Sequence, residues 1–187
     1  MPGSVYEVVF NIAADHYGYV TQEQARVHGI PGQRLVVMED RGLLERRRQG
    51  LYRVVAMPAT SLDPYMEAAL WPVGVRGVIS HDTALDLHGL SDLMPAKIHL
   101  TVPRSHRTRR DVPSQYVLHR EDLDPVEITS HEGIPIVTPA TAIRQAHRDR
   151  LGPALVRQAI DDGERNGRLS QRVAADLRAE LLGAAAR

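Results

Sequence analysis

The stretch YVTQEQARVHGIPGQRLVVMEDRGLLERRRQGLYRV, Tyr19 to Val54, decides the fold of the first part of the chain. Thr21-Gln22-Glu23-Gln24 has the form of a capping box, in which a Thr hydroxyl and a Gln side chain satisfy the free amides of a helix start. It predicts a short helix to about His28. Gly29-Ile30-Pro31 interrupts that helix, and Gly32-Gln33-Arg34-Leu35 opens another that turns Leu35 and Met38 inward and stops at Gly42. Leu43 to Arg46 and Leu51 to Val55 then read as two strands around a basic turn, Arg47-Arg48-Gln49-Gly50.

Working outward, Val5, Val8, Val9 and Ile12 fall at the spacing of one helical stripe, with Ser4 as N-cap and Gly18 as terminator. Helices, tight turn, helix and hairpin make a winged helix-turn-helix over residues 1–57. Met57 to Pro64, with two prolines and small polar residues, reads as the boundary to a second domain over 64–187.

The second region alternates element types. Helices are predicted at about Pro64–Leu70, Ser80–His88 with Ser80 as cap, Ala142–Arg150 behind Thr138-Pro139-Ala140, Pro153–Asn166 and Ser170–Leu182. Extended pieces are predicted at Val78–Ser80, Ile98–Val102, Gln115–His119, Val126–Ser130 and Ile134–Val137. The fold class is therefore α+β: a winged helix followed by a mixed domain with a small sheet and C-terminal helices.

Composition narrows the function classes. In 187 residues there is no Cys, which excludes disulfides, thiolate zinc sites and cysteine nucleophiles and fits a reducing compartment. Nothing resembles a membrane span or a signal peptide, so a cytoplasmic protein is expected. Formal net charge is zero, so nucleic-acid contact must come from local clustering. Lys97 is the only lysine among 23 basic residues; the remaining positive charge is guanidinium, suited to phosphate and guanine, although codon usage in a GC-rich genome gives the same bias.

In a helix-turn-helix the second helix enters the major groove with its first residues at the base edges. Here that helix starts at Gly32, and the period leaves Gln33, Arg34 and Val37 toward DNA, for adenine, guanine or phosphate, and a thymine methyl. Arg46, Arg47 and Arg48, with Gln49, lie at the expected tip of the hairpin, where phosphate or minor-groove contact is their natural use. Thr21 and Gln22 complete the candidate DNA-binding set. From Gly32 to Arg53, six arginines stand against Glu39, Asp40 and Glu45. That modest excess calls for a homodimer on DNA or a second basic surface. The competing reading is a protein-interaction module whose charge run is a solvated face.

The sequence resembles a known family at this point. Tyr19-Val20-Thr21 through Ala25, Gly29-Ile30, Gly42 to Arg46 and Gly50 to Arg53 are similar to the N-terminal winged helix of AbiEi-type antitoxins. Ile79 to Leu85, Leu87 to Ser91, Ile98 to Pro103 and Thr138-Pro139-Ala140 are similar to the body of that family. The likeness spans about residues 3–145. It implies an antitoxin that represses its own operon by binding operator DNA and neutralises a nucleotidyltransferase-like toxin, with direct contact between the two left open. Two alternatives stand beside it: an interaction protein that binds a partner directly, and a regulator that senses a small molecule.

Arg104-Ser105-His106-Arg107-Thr108-Arg109-Arg110 carries four arginines and no acid, a second basic patch for DNA, RNA or toxin, or a solvated loop. No metal and no cofactor is called for: none of the nine histidines falls into an HxH or HxxxH pair. Asp161, Asp162 and Glu164 read as a helix-end cluster. A restriction-type nuclease needs a lysine that Lys97 does not supply, and no GxSxG, phosphate loop or dinucleotide fingerprint is present, so the chain is not expected to be an enzyme.

Overall fold

The computed structural model describes residues 4–92, 94–108 and 111–183. They divide into two compact units, one reaching to Gly77 and one beginning at Val78.

The first unit contains α1 (Val5–Ala14), β1 (Tyr19–Thr21), α2 (Gln22–Val27), α3 (Gly32–Asp40), β2 (Leu44–Arg48), β3 (Leu51–Val54) and α4 (Asp63–Leu70). The predicted capping box of Thr21 with Gln24 opens α2, and Ser4, predicted as the N-cap of α1, forms a second box with Glu7. The three strands make an antiparallel sheet in the order β1-β3-β2. Val9, Ala13, Val20, Ala25, Leu35 and Val54 are fully buried in the core between helices and sheet, and Met38 is buried at its margin. This is a winged helix-turn-helix.

Two expectations are corrected. The hairpin turn is only Gln49-Gly50, with Gly50 in the left-handed region, so Arg46, Arg47 and Arg48 lie within β2 and not on a tip. A two-residue turn with positive φ at its second position closes an antiparallel pair tightly, and an irregularity between Arg46 and Arg48 adjusts the register. In addition, α4 packs within the first unit, so the 57–64 segment is interior to that unit and not its edge. Two buried carboxylates anchor α4. Asp63 accepts from the Arg53 guanidinium at 3.1–3.2 Å and from the Thr60 amide and hydroxyl; Glu67 accepts from the Tyr19 hydroxyl at 3.1 Å. Burial, and after it the Glu67 carboxylate, raise the Tyr19 hydroxyl well above the ordinary phenol range, so it stays a donor.

The second unit contains β4 (Val78–Ile79), α5 (His81–Leu87), β5 (Ile98–Val102), β6 (Tyr116–Arg120), β7 (Ile128–His131), β8 (Ile134–Val137), α6 (Pro139–Arg148), α7 (Pro153–Arg165) and α8 (Gln171–Leu182). Its five-stranded sheet runs β6-β5-β4-β8-β7. The β5–β6 and β4–β8 pairs are parallel, the β4–β5 and β7–β8 pairs antiparallel. Leu100, Ile79, Ile136, Ile143 and Ile160 are fully buried. The strand expected from Val126 starts later, because Asp124 caps a single 3-10 turn over Pro125–Glu127. Asp161 and Glu164 pair with Arg178, and Asp162 with Arg165, which accounts for that acidic cluster as helix-surface ion pairing.

Ser80 precedes α5 as expected, but its hydroxyl makes no helix-capping bond. It faces the His81 ring at 3.0 Å and accepts from the Thr101 hydroxyl at 2.9 Å.

Candidate nucleic-acid interface

Helix α3 exposes Gln33 and Arg34 and half-buries Val37 one turn later, while Leu35 and Met38 fix its inner side. Its N-cap is Pro31, which offers no side-chain acceptor, so the positive end of the helix is not neutralised by a cap. Gln33 and Arg34 thus lie at the exposed start of α3, with Val37 one turn further along it.

Gln22 ties the neighbouring pieces together. Its amide donates to Gly50 O at 2.8 Å, and its side chain lies so close over Gly32 that a Cβ there would overlap the side-chain amide. The first residue of α2, the first residue of α3 and the hairpin turn thus meet at one place. Thr21 is differently employed: its hydroxyl accepts from the Gln24 amide and donates to the Gln24 side chain, which makes it a structural cap. Gln49 is exposed on the turn.

The arginines of β2 are held by carboxylates. Arg46 reaches Glu39 of α3 at 2.6 and 3.0 Å and lies 5.4 Å from the centre of the Tyr52 ring. Arg47 bonds Glu45 at 2.9 Å and Glu67 at 3.2 Å, and Arg48 stands 3.7 Å from the second oxygen of Glu67. Successive strand residues face opposite ways. That separates Arg46, on the α3 side, from Arg47; the irregularity between Arg46 and Arg48 breaks the alternation, so Arg48 leans with Arg47 to the buried carboxylate of α4. The run of three is two separate groups.

In the second basic patch, the Arg104 amide donates to Asp122 and the Arg107 guanidinium to Arg104 O at 2.6 Å, so this segment is folded on itself. Arg109 and Arg110 lie outside the described residues.

The structure also assembles a group that spacing does not reveal: His81, His99 and His119, each with a ring nitrogen within 4.8 Å of the others'. They are 18 and 20 positions apart along the chain and meet only because α5, β5 and β6 adjoin. The sequence signal was confined to the alternation of β5 and β6, which puts His99 and His119 on one sheet face once their parallel register is known.

Against known proteins, the chain is similar in fold to a solved structure from Mycobacterium tuberculosis, the RV2827C protein, with a TM-score of 0.54, 19% sequence identity, and coverage of 92% of this chain and 70% of that one. That likeness is one of architecture. No protein with a curated description matches the sequence. Residues 7–55, which hold most of α1, the elements from β1 to β3 and every candidate base- and wing-contact residue, match the family model described as transcriptional regulator, AbiEi antitoxin. The match is confined to the N-terminal winged helix and leaves the second unit outside it.

Proposed function

We propose that the chain is the DNA-binding autorepressor and antitoxin of a toxin–antitoxin operon, acting in the cytoplasm on a nucleotidyltransferase-like toxin. The single observation that carries this reading is the uncapped, exposed start of α3 presenting Gln33 and Arg34 beside the arginine-bearing hairpin, within the segment that matches the regulator family. In this reading Gln33 and Arg34 contact base edges and Val37 packs on a thymine methyl. Gly32 admits the close approach of Gln22 at the helix start, and Gln22, with Gln49 on the turn, reaches the backbone beside it. Arg46 is the foremost wing contact to phosphate. Arg47 and Arg48 join it by exchanging Glu67 for phosphate oxygens.

A gel-shift titration on the DNA upstream of the gene tests the regulatory half. Gln33→Ala is expected to change sequence preference, and the Arg46→Ala, Arg47→Ala, Arg48→Ala triple variant to weaken binding to all duplexes and lower the salt slope by one to three phosphates' worth, about 0.9 each. Equal affinity of the triple variant and the wild type would remove the wing from the interface. For the antitoxin half, co-expression with the adjacent gene product is expected to restore growth that the product alone arrests; persistent arrest would reject it.

A further inference from the structure

We infer that His81, His99 and His119, completed by Asp149, form a binding site for a divalent transition-metal ion of the zinc type in the second unit. His99 and His119 come from the parallel strands β5 and β6, in which His119 is opposite Thr101 and His99 opposite Val117. Their facing nitrogens, His99 Nδ1 and His119 Nε2, are 3.3 Å apart. Two ligands held tetrahedrally at the zinc–imidazole distance of about 2.0–2.1 Å are separated by roughly 3.4 Å, so this pair already has the spacing a metal needs.

His81, the first residue of α5, supplies the third nitrogen. Its ring lies on His119 with centroids 3.5 Å apart and planes 13° from parallel, so ligation of a shared ion tilts it out of that stack; its Nδ1 is engaged by the Ser80 hydroxyl, which leaves Nε2 as the ligand atom. That Nε2 lies 3.7 Å from the Asp149 carboxylate, at the end of α6; the same oxygen is 4.0 Å from His119 Nδ1, the ring nitrogen other than the one that faces His99, so Asp149 joins the set from the His81 side. Three imidazoles and one carboxylate on four different elements make a four-donor set of nitrogen and oxygen ligands, which suits zinc or its first-row neighbours and not calcium or magnesium.

The surroundings hold these donors from behind. Ser80, engaged with the His81 ring, is itself bonded by Thr101. The His81 amide donates to Gln145, which is fully buried; Gln145 donates to Glu121, and Arg148 closes the chain on Glu121 at 2.7 Å. Outer-shell bonds of this kind fix ligand tautomer and orientation in metal sites. His81 also has φ at +52°, a left-handed conformation that costs a β-carbon-bearing residue about 1 kcal/mol and here turns its ring into the cluster. Asp149 is half exposed, so the site has an entry from solvent.

The test uses the full chain, without an affinity tag containing histidine, stripped with EDTA and dialysed against Zn2+. One equivalent of bound zinc is expected, with a rise in Tm. His99→Gln and His119→Gln should each abolish stoichiometric binding, and Asp149→Asn should weaken it ten- to a hundredfold. Titration of the wild type with Co2+ should give the intense visible absorption of a tetrahedral site, which reads the geometry without any variant having to fold. Absence of that absorption, or zinc uptake by the wild type no greater than by the His99→Gln variant, would overturn the assignment. Neither readout involves DNA.

Discussion

Glu39 and Gly32 show how single residues set the chemistry of the face proposed to meet DNA. Glu39 is the partner that holds Arg46 in position over Tyr52. Glu39→Gln removes its charge with little change of shape, so the guanidinium is released for phosphate. Binding to every duplex is expected to strengthen severalfold with a salt slope steeper by up to one phosphate, measurable by fluorescence anisotropy at two salt concentrations. An unchanged slope would show that Arg46 does not face DNA. Gly32 opens α3, and a methyl there displaces only the flexible end of Gln22. Gly32→Ala is therefore expected to change stability by less than about 1 kcal/mol, Ala being the better helix residue, while lowering DNA affinity by moving Gln22. Urea denaturation and gel shift together separate the two effects; a large loss of stability would contradict the placement.

At the scale of elements, α4 and α5 each depend on a buried polar residue. Glu67 anchors α4 to β1 and β2, with its side chain only 10% exposed. Glu67→Ala leaves the Tyr19 hydroxyl and Arg47 without that acceptor, and a loss of about 2 kcal/mol in urea denaturation is expected, discounted for the exposure of Arg47. A loss below about 0.5 kcal/mol would mean that α4 is held by its apolar face alone. His88, at the end of α5, is buried with Nε2 2.8 Å from Val137 O, and burial holds its pKa below the ordinary 6.5 despite that bond. The unfolded chain therefore binds more protons than the folded one just below pH 6.5. This contribution is complete above that pH and is lost on acidification, at up to about 1.4 kcal/mol per pH unit until the folded value is reached. In EDTA, His88→Gln should lose stability less steeply than the wild type between pH 6.5 and 5; parallel curves would show that His88 does not titrate on unfolding.

At the scale of the whole molecule, the sequence was most legible where structure is local. The N-cap at Ser4, the capping box at Thr21, the inward pair Leu35 and Met38, and the alternation of Ile98–Val102 each depend on neighbours within a turn or two of the chain, and each stands where it was expected. What was illegible depends on distant partners. The grouping of Arg46 with α3 and of Arg47 and Arg48 with Glu67 requires knowing that α4 folds back on the hairpin. The histidine cluster requires the parallel register of β5 and β6 and the position of α5. Ser80 illustrates the same limit: its place before a helix suggested a cap, but Thr101 of β5 donates to its hydroxyl, which also engages the adjacent His81 ring.

The carboxylates that hold the wing have a bearing on how long the protein stays anywhere on a chromosome. A guanidinium already engaged by Glu39 or Glu67 gains only the difference when it turns to phosphate, so under the proposed function random sequence is expected to be held weakly and released fast. On the proposed function, discrimination then falls to Gln33 and Arg34, and the protein spends its time at its specific site instead of on competing ones.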